Sequence, residues 1–210
     1  MSVPLKALAT VAGIGTASVG AYLVIPRKKA LSIRAQLERA GYSILNLDKK
    51  DTVHKGEWDK IKDAYGKETT ALLRFEGIVQ GTDSTINGMK DACSLLLSSE
   101  SNKAEDLEKA RRWCVVPVDV SSRLSDKFAL LDTTGTNDSN LWTEKLTEHK
   151  KDNPKFPKIP NAWGDGDNED SKKIAALKTK CGNMAKLHTF DKDFESFLSY
   201  TRDWCTKPKN

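Results

Sequence analysis

Cysteine and tryptophan recur in a fixed order along this 210-residue chain, and no other residue types are so well placed to do chemistry. Arg111-Arg112-Trp113-Cys114-Val115-Val116-Pro117 matches Arg202-Asp203-Trp204-Cys205-Thr206-Lys207-Pro208, giving R-x-W-C-x-x-P twice at an offset of 91. Cys93 lies 21 residues before Cys114, and Cys181 lies 24 before Cys205. Such thiols either cross-link in an oxidising compartment or stay reduced as small apolar core residues. The even count and paired placement suit two disulfides if the body lies outside the cell. Of the three connectivities, the recurrence favours Cys93–Cys114 and Cys181–Cys205. Helix geometry opposes this in part. A hairpin turning near Thr189 would leave Cys181 and Cys205 about 12 Å apart along the axes, beyond the ~7 Å reach of a disulfide.

The other reactive side chains assemble into nothing comparable. Zinc needs close ligand pairs, and the nearest Cys–His pair, Cys181 and His188, is spaced seven apart. Asp165-Gly166-Asp167-Asn168-Glu169-Asp170 has only a superficial likeness to a calcium loop. It lacks the Gly at position 6 and Glu at position 12 that an EF-hand requires. Phosphate-binding glycine loops, nucleophile elbows and metalloprotease helices are missing from the sequence. His54, His149 and His188 have no serine or cysteine partner in a recognised pattern. The expectation is a non-enzymatic protein with no cofactor and no metal. Trp58, Trp113, Trp142 and Trp204 read as the bulky core anchors of two repeats.

The elements that must position these residues also recur. At an offset of 84, Leu47-Asp48 falls on Leu131-Asp132, Trp58 on Trp142, Arg39 on Arg123, Thr52 on Thr136, Lys67 on Lys151 and Tyr65 on His149. Leu-Asp, Trp, Cys, Trp-Cys and Pro follow in the same order in both halves, the signature of an internal duplication. The reading is two tandem α-rich units, residues 30–117 and 118–210, with a Pro-rich and acidic insertion at 152–170. Within them the periodicity predicts helices over 28–40, 57–65, 83–98 and 140–150. Gly41 is placed to end the first of these as a left-handed cap. Residues 102–105 resemble a capping box for the helix ending at Trp113-Cys114. Ile174, Leu177, Cys181, Met184 and His188 form one apolar stripe, and Phe194, Phe197, Leu198, Thr201 and Trp204 another. Residues 42–47 and their counterpart at 127–131 read as short extended segments.

Ahead of the body, Ala7–Ile25 runs 19 residues without a charge, followed by Pro26-Arg27-Lys28-Lys29. At 1.5 Å per residue this spans about 28 Å, close to the hydrocarbon thickness. Residues 1–29 are read as a transmembrane anchor with a basic flank; the alternative is a signal peptide cut after Gly20. Ala9, Gly13, Ala17 and Ala21 lie at spacing four, a stripe that lets two anchor helices approach closely. Orientation stays open. The basic flank favours a cytoplasmic body, whereas an uncleaved export signal favours an outward one.

The net charge of +5 is no nucleic-acid signature, because residues 1–29 hold four of those charges and no acid. The remainder mixes Lys with Asp and Glu, without the clustered positive charge that phosphates require. Nucleic acid is therefore not an expected partner. The overall fold class is mainly α: one N-terminal transmembrane helix, then two tandem copies of an α-rich unit.

The opening MSVPLKALATVAGIGTASVGAYLV and the two R-x-W-C-x-x-P segments resemble the large paralogous families of membrane-anchored proteins of haemotrophic mycoplasmas. No enzymatic activity is assigned to those families, so the resemblance transfers no catalytic residue. It implies a cell with one membrane and no wall, and a surface-displayed, antigenically variable protein. The partners it leads us to expect are the membrane, a host surface protein or antibody, and a second copy of the chain. The competing expectation is a cytoplasm-facing tethered scaffold that self-associates through its anchor.

Overall fold

The computed structural model describes residues 31–78 and 84–209. Among these residues the chain is mainly helical, and the order of elements repeats. Helices α1 (Ile33–Arg39), α2 (Lys55–Lys67), α3 (Ser84–Ser98) and α4 (Ala104–Trp113) make up the first half. Helices α5 (Val120–Leu124), α6 (Ser139–Lys150), α7 (Asp170–Met184) and α8 (Phe194–Cys205) make up the second. Strands β1 (Phe128–Leu130) and β2 (Thr206–Pro208) pair antiparallel, and Ile44 bridges Val115 in the corresponding place of the first half. No helix among the described residues is long and apolar enough to cross a membrane. The expected anchor, with Ala9, Gly13, Ala17 and Ala21, lies outside the described residues.

Each half begins with the same local device. The Ser32 side chain accepts the N–H of Ala35 and so caps α1; Asp119 accepts the N–H of Ser122 and so caps α5. Ile33 N–H then donates to the Ser99 carbonyl, and Val120 N–H donates to that of Leu187 (both 2.9 Å). Ile33 and Leu37 on α1, and Val120 and Leu124 on α5, are buried at the i, i+4 spacing of one helix face. The sequence does not announce α5, which is a single short turn of helix held by its cap and by that spacing. Gly41 ends the α1 segment with φ +81°, as its position predicts. The predicted capping box at α4 is replaced by a different arrangement, in which the Ser101 hydroxyl donates to Asp106 and accepts the N–H of Lys103.

Backbone hydrogen bonds correct the alignment of the halves. Leu45 N–H donates to the Cys114 carbonyl (3.1 Å), and Leu131 N–H donates to the Cys205 carbonyl (2.9 Å). Leu131 therefore corresponds to Leu45 rather than to Leu47, and Asp132 to Asn46 rather than to Asp48. The ungapped match was off by two residues here, a slip that leaves the inward and outward faces of an extended segment unchanged. Arg123, by the capping register, corresponds to Gln36 and not to Arg39. From Trp58 and Trp142 onward the offset of 84 holds, since each indole N–H donates to the carbonyl of the corrected partner: Trp58 to Asn46 (3.0 Å) and Trp142 to Asp132 (2.8 Å).

Two apolar cores result, and they do not divide where the sequence does. One gathers Ile33, Leu37, Trp58, Ile61, Met89, Cys93 and Trp113, together with Val120, Leu124 and Phe194 from the second half. The other gathers Leu131, Trp142, Ile159, Leu177, Cys181, Met184 and Trp204. α5 and the start of α8 thus complete the core of the preceding unit. Burial of such large rings and branched chains contributes about 1.5–3 kcal/mol apiece.

Candidate functional site

The four cysteines come together within units as two disulfides, Cys93–Cys114 and Cys181–Cys205, with Cα atoms 5.5 Å apart in each. The hairpin objection fails because the paired helices meet near their C-terminal ends. α7 stops at Met184, three residues past Cys181, and α8 does not begin until Phe194. The nine residues between, at up to ~3.3 Å each, carry the chain back the roughly 16 Å that α8 then retraces to Cys205.

Around each disulfide the same set of side chains recurs. Trp58, Trp113, Trp142 and Trp204 are each at most 1% exposed, the placement of core anchors. Trp113 Nε1–H donates to the Leu73 carbonyl (2.6 Å), and Trp204 Nε1–H donates to that of Pro157 (2.8 Å). Lys90 and Lys178, each three residues before a cysteine, were passed over by sequence reasoning. Lys90 Nζ donates to the Asp48 carbonyl (2.6 Å) and lies 5.8 Å from the Trp58 ring; Lys178 Nζ donates to the Gly135 carbonyl (2.7 Å), 5.9 Å from the Trp142 ring. The signal was present as K-x-x-C in both halves. The N-cap residues repeat a role as well: Asn46 N–H donates to His54 Nδ1 (2.9 Å), and Asp132 N–H donates to Asp138 Oδ2 (2.8 Å).

Asp132 adds a turn of its own. Its carboxylate accepts the N–H groups of Gly135 (2.7 Å) and Thr134 (3.0 Å), which lower its pKa to about 2. His149 sits below the usual imidazole range, first because it is buried and then because the charge of Lys158 opposes protonation. Among the described residues no group of three or more His, Cys, Asp and Glu could hold a metal ion.

The most elaborate polar chemistry lies where unit two covers unit one. Arg111 and Arg112, both buried, project from the R-x-W-C segment. Arg111 pairs with Glu108 and donates to the Thr189 carbonyl. Arg112 pairs with Glu68 (2.6 Å) and donates through Nε to the Phe190 carbonyl (2.8 Å). The Arg111 guanidinium also lies 5.3 Å from the Phe194 ring. The Tyr42 hydroxyl donates to Glu195; burial and that carboxylate together drive the phenol well above its ordinary range. In the opposite direction, Arg123 donates to the carbonyls of Ala40 and Gly41 and packs on the Tyr42 ring (4.6 Å).

Several open clefts flank this architecture among the described residues, and two of them are lined in part by an arginine of an R-x-W-C segment. One, about 380 Å³, lies at the junction beside Lys60, Glu68, Arg112, Phe190 and Lys192. The other, about 460 Å³, lies at the C-terminal end of unit two between Phe128, Lys145, Phe156 and Arg202. Both are open surfaces lined by residues of mixed charge. No protein-family model, no curated protein and no solved structure matches this chain.

Proposed function

We propose that this chain is a single-pass, membrane-anchored, surface-displayed protein without enzymatic activity, whose duplicated helical body makes contacts with host surface proteins or antibodies. The observation that carries this reading is the pair of buried disulfides, one stapling each repeated core. Such cross-links persist in oxidising surroundings and are kept reduced in the cytosol. The uncharged stretch Ala7–Ile25 supplies the anchor, and the family resemblance supplies the surface role.

A second reading has its own support. Arg27, Lys28 and Lys29 directly after the apolar stretch favour retention of the body in the cytoplasm. There the chain would serve as a tethered scaffold, self-associating through Ala9, Gly13, Ala17 and Ala21. That reading requires free thiols.

Labelling intact cells with a membrane-impermeant maleimide, with and without prior reduction, separates the two. Surface display gives labelling of intact cells only after reduction. Labelling that needs lysis but no reductant would replace it with the scaffold.

A further inference from the structure

We propose that the cleft between α7, α8 and the turn at Asn161 binds a neutral pyranose sugar residue. The cleft holds about 340 Å³, within the roughly 300–1,000 Å³ of small-molecule sites. Phe197, Tyr200 and Pro160 supply its rings, and Asn161, Lys180, Asp193 and Ser196 supply polar groups. Asp193, Ser196, Phe197 and Tyr200 follow at the i, i+3, i+4, i+7 spacing of one face of α8.

Unit one builds the same cleft from different side chains. Phe75 and Ile159 donate corresponding N–H groups, and Trp113 and Trp204 hold the same place in α4 and α8. In that register Pro160, Asn161, Ser196, Phe197 and Tyr200 fall on Glu76, Gly77, Glu105, Asp106 and Lys109, all of which line one cleft of unit one. Four charged positions there are uncharged in unit two. Asp106 accepts the Ser101 hydroxyl, and Lys109 lies 5.9 Å from the Phe75 ring. In their places stand the half-buried rings of Phe197 and Tyr200. Asn161 takes a left-handed backbone (φ +49°) where Gly77 has φ +73°. Glycine would serve that turn at lower cost, whereas asparagine adds an amide to the cleft. The buried Ile159 and Ala162 hold the turn in place.

The lining chemistry names the ligand. Lys180 and Asp193 carry opposite charges, so the cleft has no net charge. The Asn161 amide and the Ser196 and Tyr200 hydroxyls can each donate and accept. Among the described residues none of these five side chains makes a hydrogen bond or ion pair, which leaves all of them open to a ligand. A pyranose matches this set. The C–H groups of one sugar face carry slight positive charge and stack on the negative face of an aromatic ring. Its hydroxyls donate and accept around the edge. A net anion would meet Asp193, and a net cation would meet Lys180. A wholly apolar ligand would strip water from the polar side chains and return no hydrogen bond. The sugar site rests on the contact-making part of the reading above and is independent of the side of the membrane.

The test uses the full chain in a polyoxyethylene detergent, which carries no sugar, and saturation-transfer NMR. The probes are the methyl glycosides of glucose, galactose, mannose, N-acetylglucosamine and N-acetylgalactosamine, with sialyllactose as the anionic comparison. At least one neutral glycoside should receive saturation, strongest at the C–H protons of one ring face. Tyr200→Lys should weaken that binding about tenfold or more. Asn161→Gly should weaken it about fivefold, the worth of one hydrogen bond. Glycine suits the left-handed turn, so this variant keeps the fold. Lys109→Ala, in the cleft of unit one, should leave binding unchanged. Vesicles bearing the responding sugar on a lipid, set against the same sugar on a soluble carrier protein, tell which source presents it; binding to either supports the site. Failure of every neutral glycoside to receive saturation, saturation of sialyllactose alone, or binding indifferent to Tyr200→Lys and Asn161→Gly overturns the site. None of these failures alters the maleimide result, which tests surface display separately.

Discussion

Tyr65 and His149 stand 84 residues apart and accept the same hydrogen bond in the two units. Phe75 N–H donates to the Tyr65 hydroxyl (2.8 Å), and Ile159 N–H donates to His149 Nε2 (3.0 Å). Each ring also packs on the tryptophan of its R-x-W-C segment, with centroids 5.1 Å apart for Tyr65–Trp113 and 4.7 Å for His149–Trp204. A phenol and an imidazole thus fill one structural role, and imidazole is the side-chain type whose ordinary pKa lies near neutrality.

That difference predicts an acid-sensitive second unit. Unfolded histidine takes up its proton near pH ~6.5, whereas folded His149 is held lower by burial and by Lys158. Between the two values the unfolded state binds more protons, so stability is complete above about pH 6.5 and declines as the pH falls below it. Asp132, with its carboxyl held at about 2, gives a second loss as the pH drops below the ordinary carboxylate range. Urea midpoints should therefore fall between pH 7.5 and pH 5.5, conditions chosen for the experiment. His149→Tyr should flatten that slope; an unchanged slope would show that another group titrates there.

Non-reducing peptide mapping should recover the pairs Cys93–Cys114 and Cys181–Cys205 and no cross-unit pair. Loops of 21 and 24 residues give each bond about 3 kcal/mol by the chain-entropy relation. Replacing both cysteines of either pair by serine should lower the unfolding free energy by that order. A cross-unit peptide in the map would contradict the fold.

Trp142→Phe and Trp204→Phe each remove an indole N–H from a backbone carbonyl, that of Asp132 or Pro157. Each should cost about 2 kcal/mol, from the lost bond and the smaller ring. Denaturant titration checks this, and a loss below about 0.5 kcal/mol would mean the carbonyl finds another donor.

Arg111 holds the units together, since its guanidinium reaches from α4 to the Thr189 carbonyl while remaining 3% exposed. Arg111→Met should cost about 2 kcal/mol, because it strands the buried Thr189 carbonyl, while the partly exposed Glu108 carboxylate returns to water. Wild-type unfolding should be one cooperative transition by near-ultraviolet dichroism and by tryptophan fluorescence. In the variant the two probes should separate. Coincident curves in the variant would show that the apolar contacts of Phe194, Val120 and Leu124 suffice to couple the units.

The chain's local pattern alone determined a good deal. Apolar spacing placed α2, α3, α6 and the stripes of α7 and α8, since a helix face repeats within a few residues. The recurrence of Trp, Cys and Pro revealed paired units, because such rare residues seldom return in order by chance. Lys90 and Lys178 were legible in the same way, as K-x-x-C. What tertiary structure decided involves residues far apart. The two-residue slip at Leu45 and Leu131 was invisible because an extended segment shifted by two keeps its faces. α5 has too few residues for a periodic signal and exists through its Asp119 cap and the core it enters. The cysteine separation depended on the length of the connection before α8, not on helical rise. The arginines that join the units, and the Lys145 contact in the terminal cleft, bring together groups 50 to 80 residues apart. Such meetings are chosen by packing and charge in three dimensions, and no local pattern in the chain encodes them.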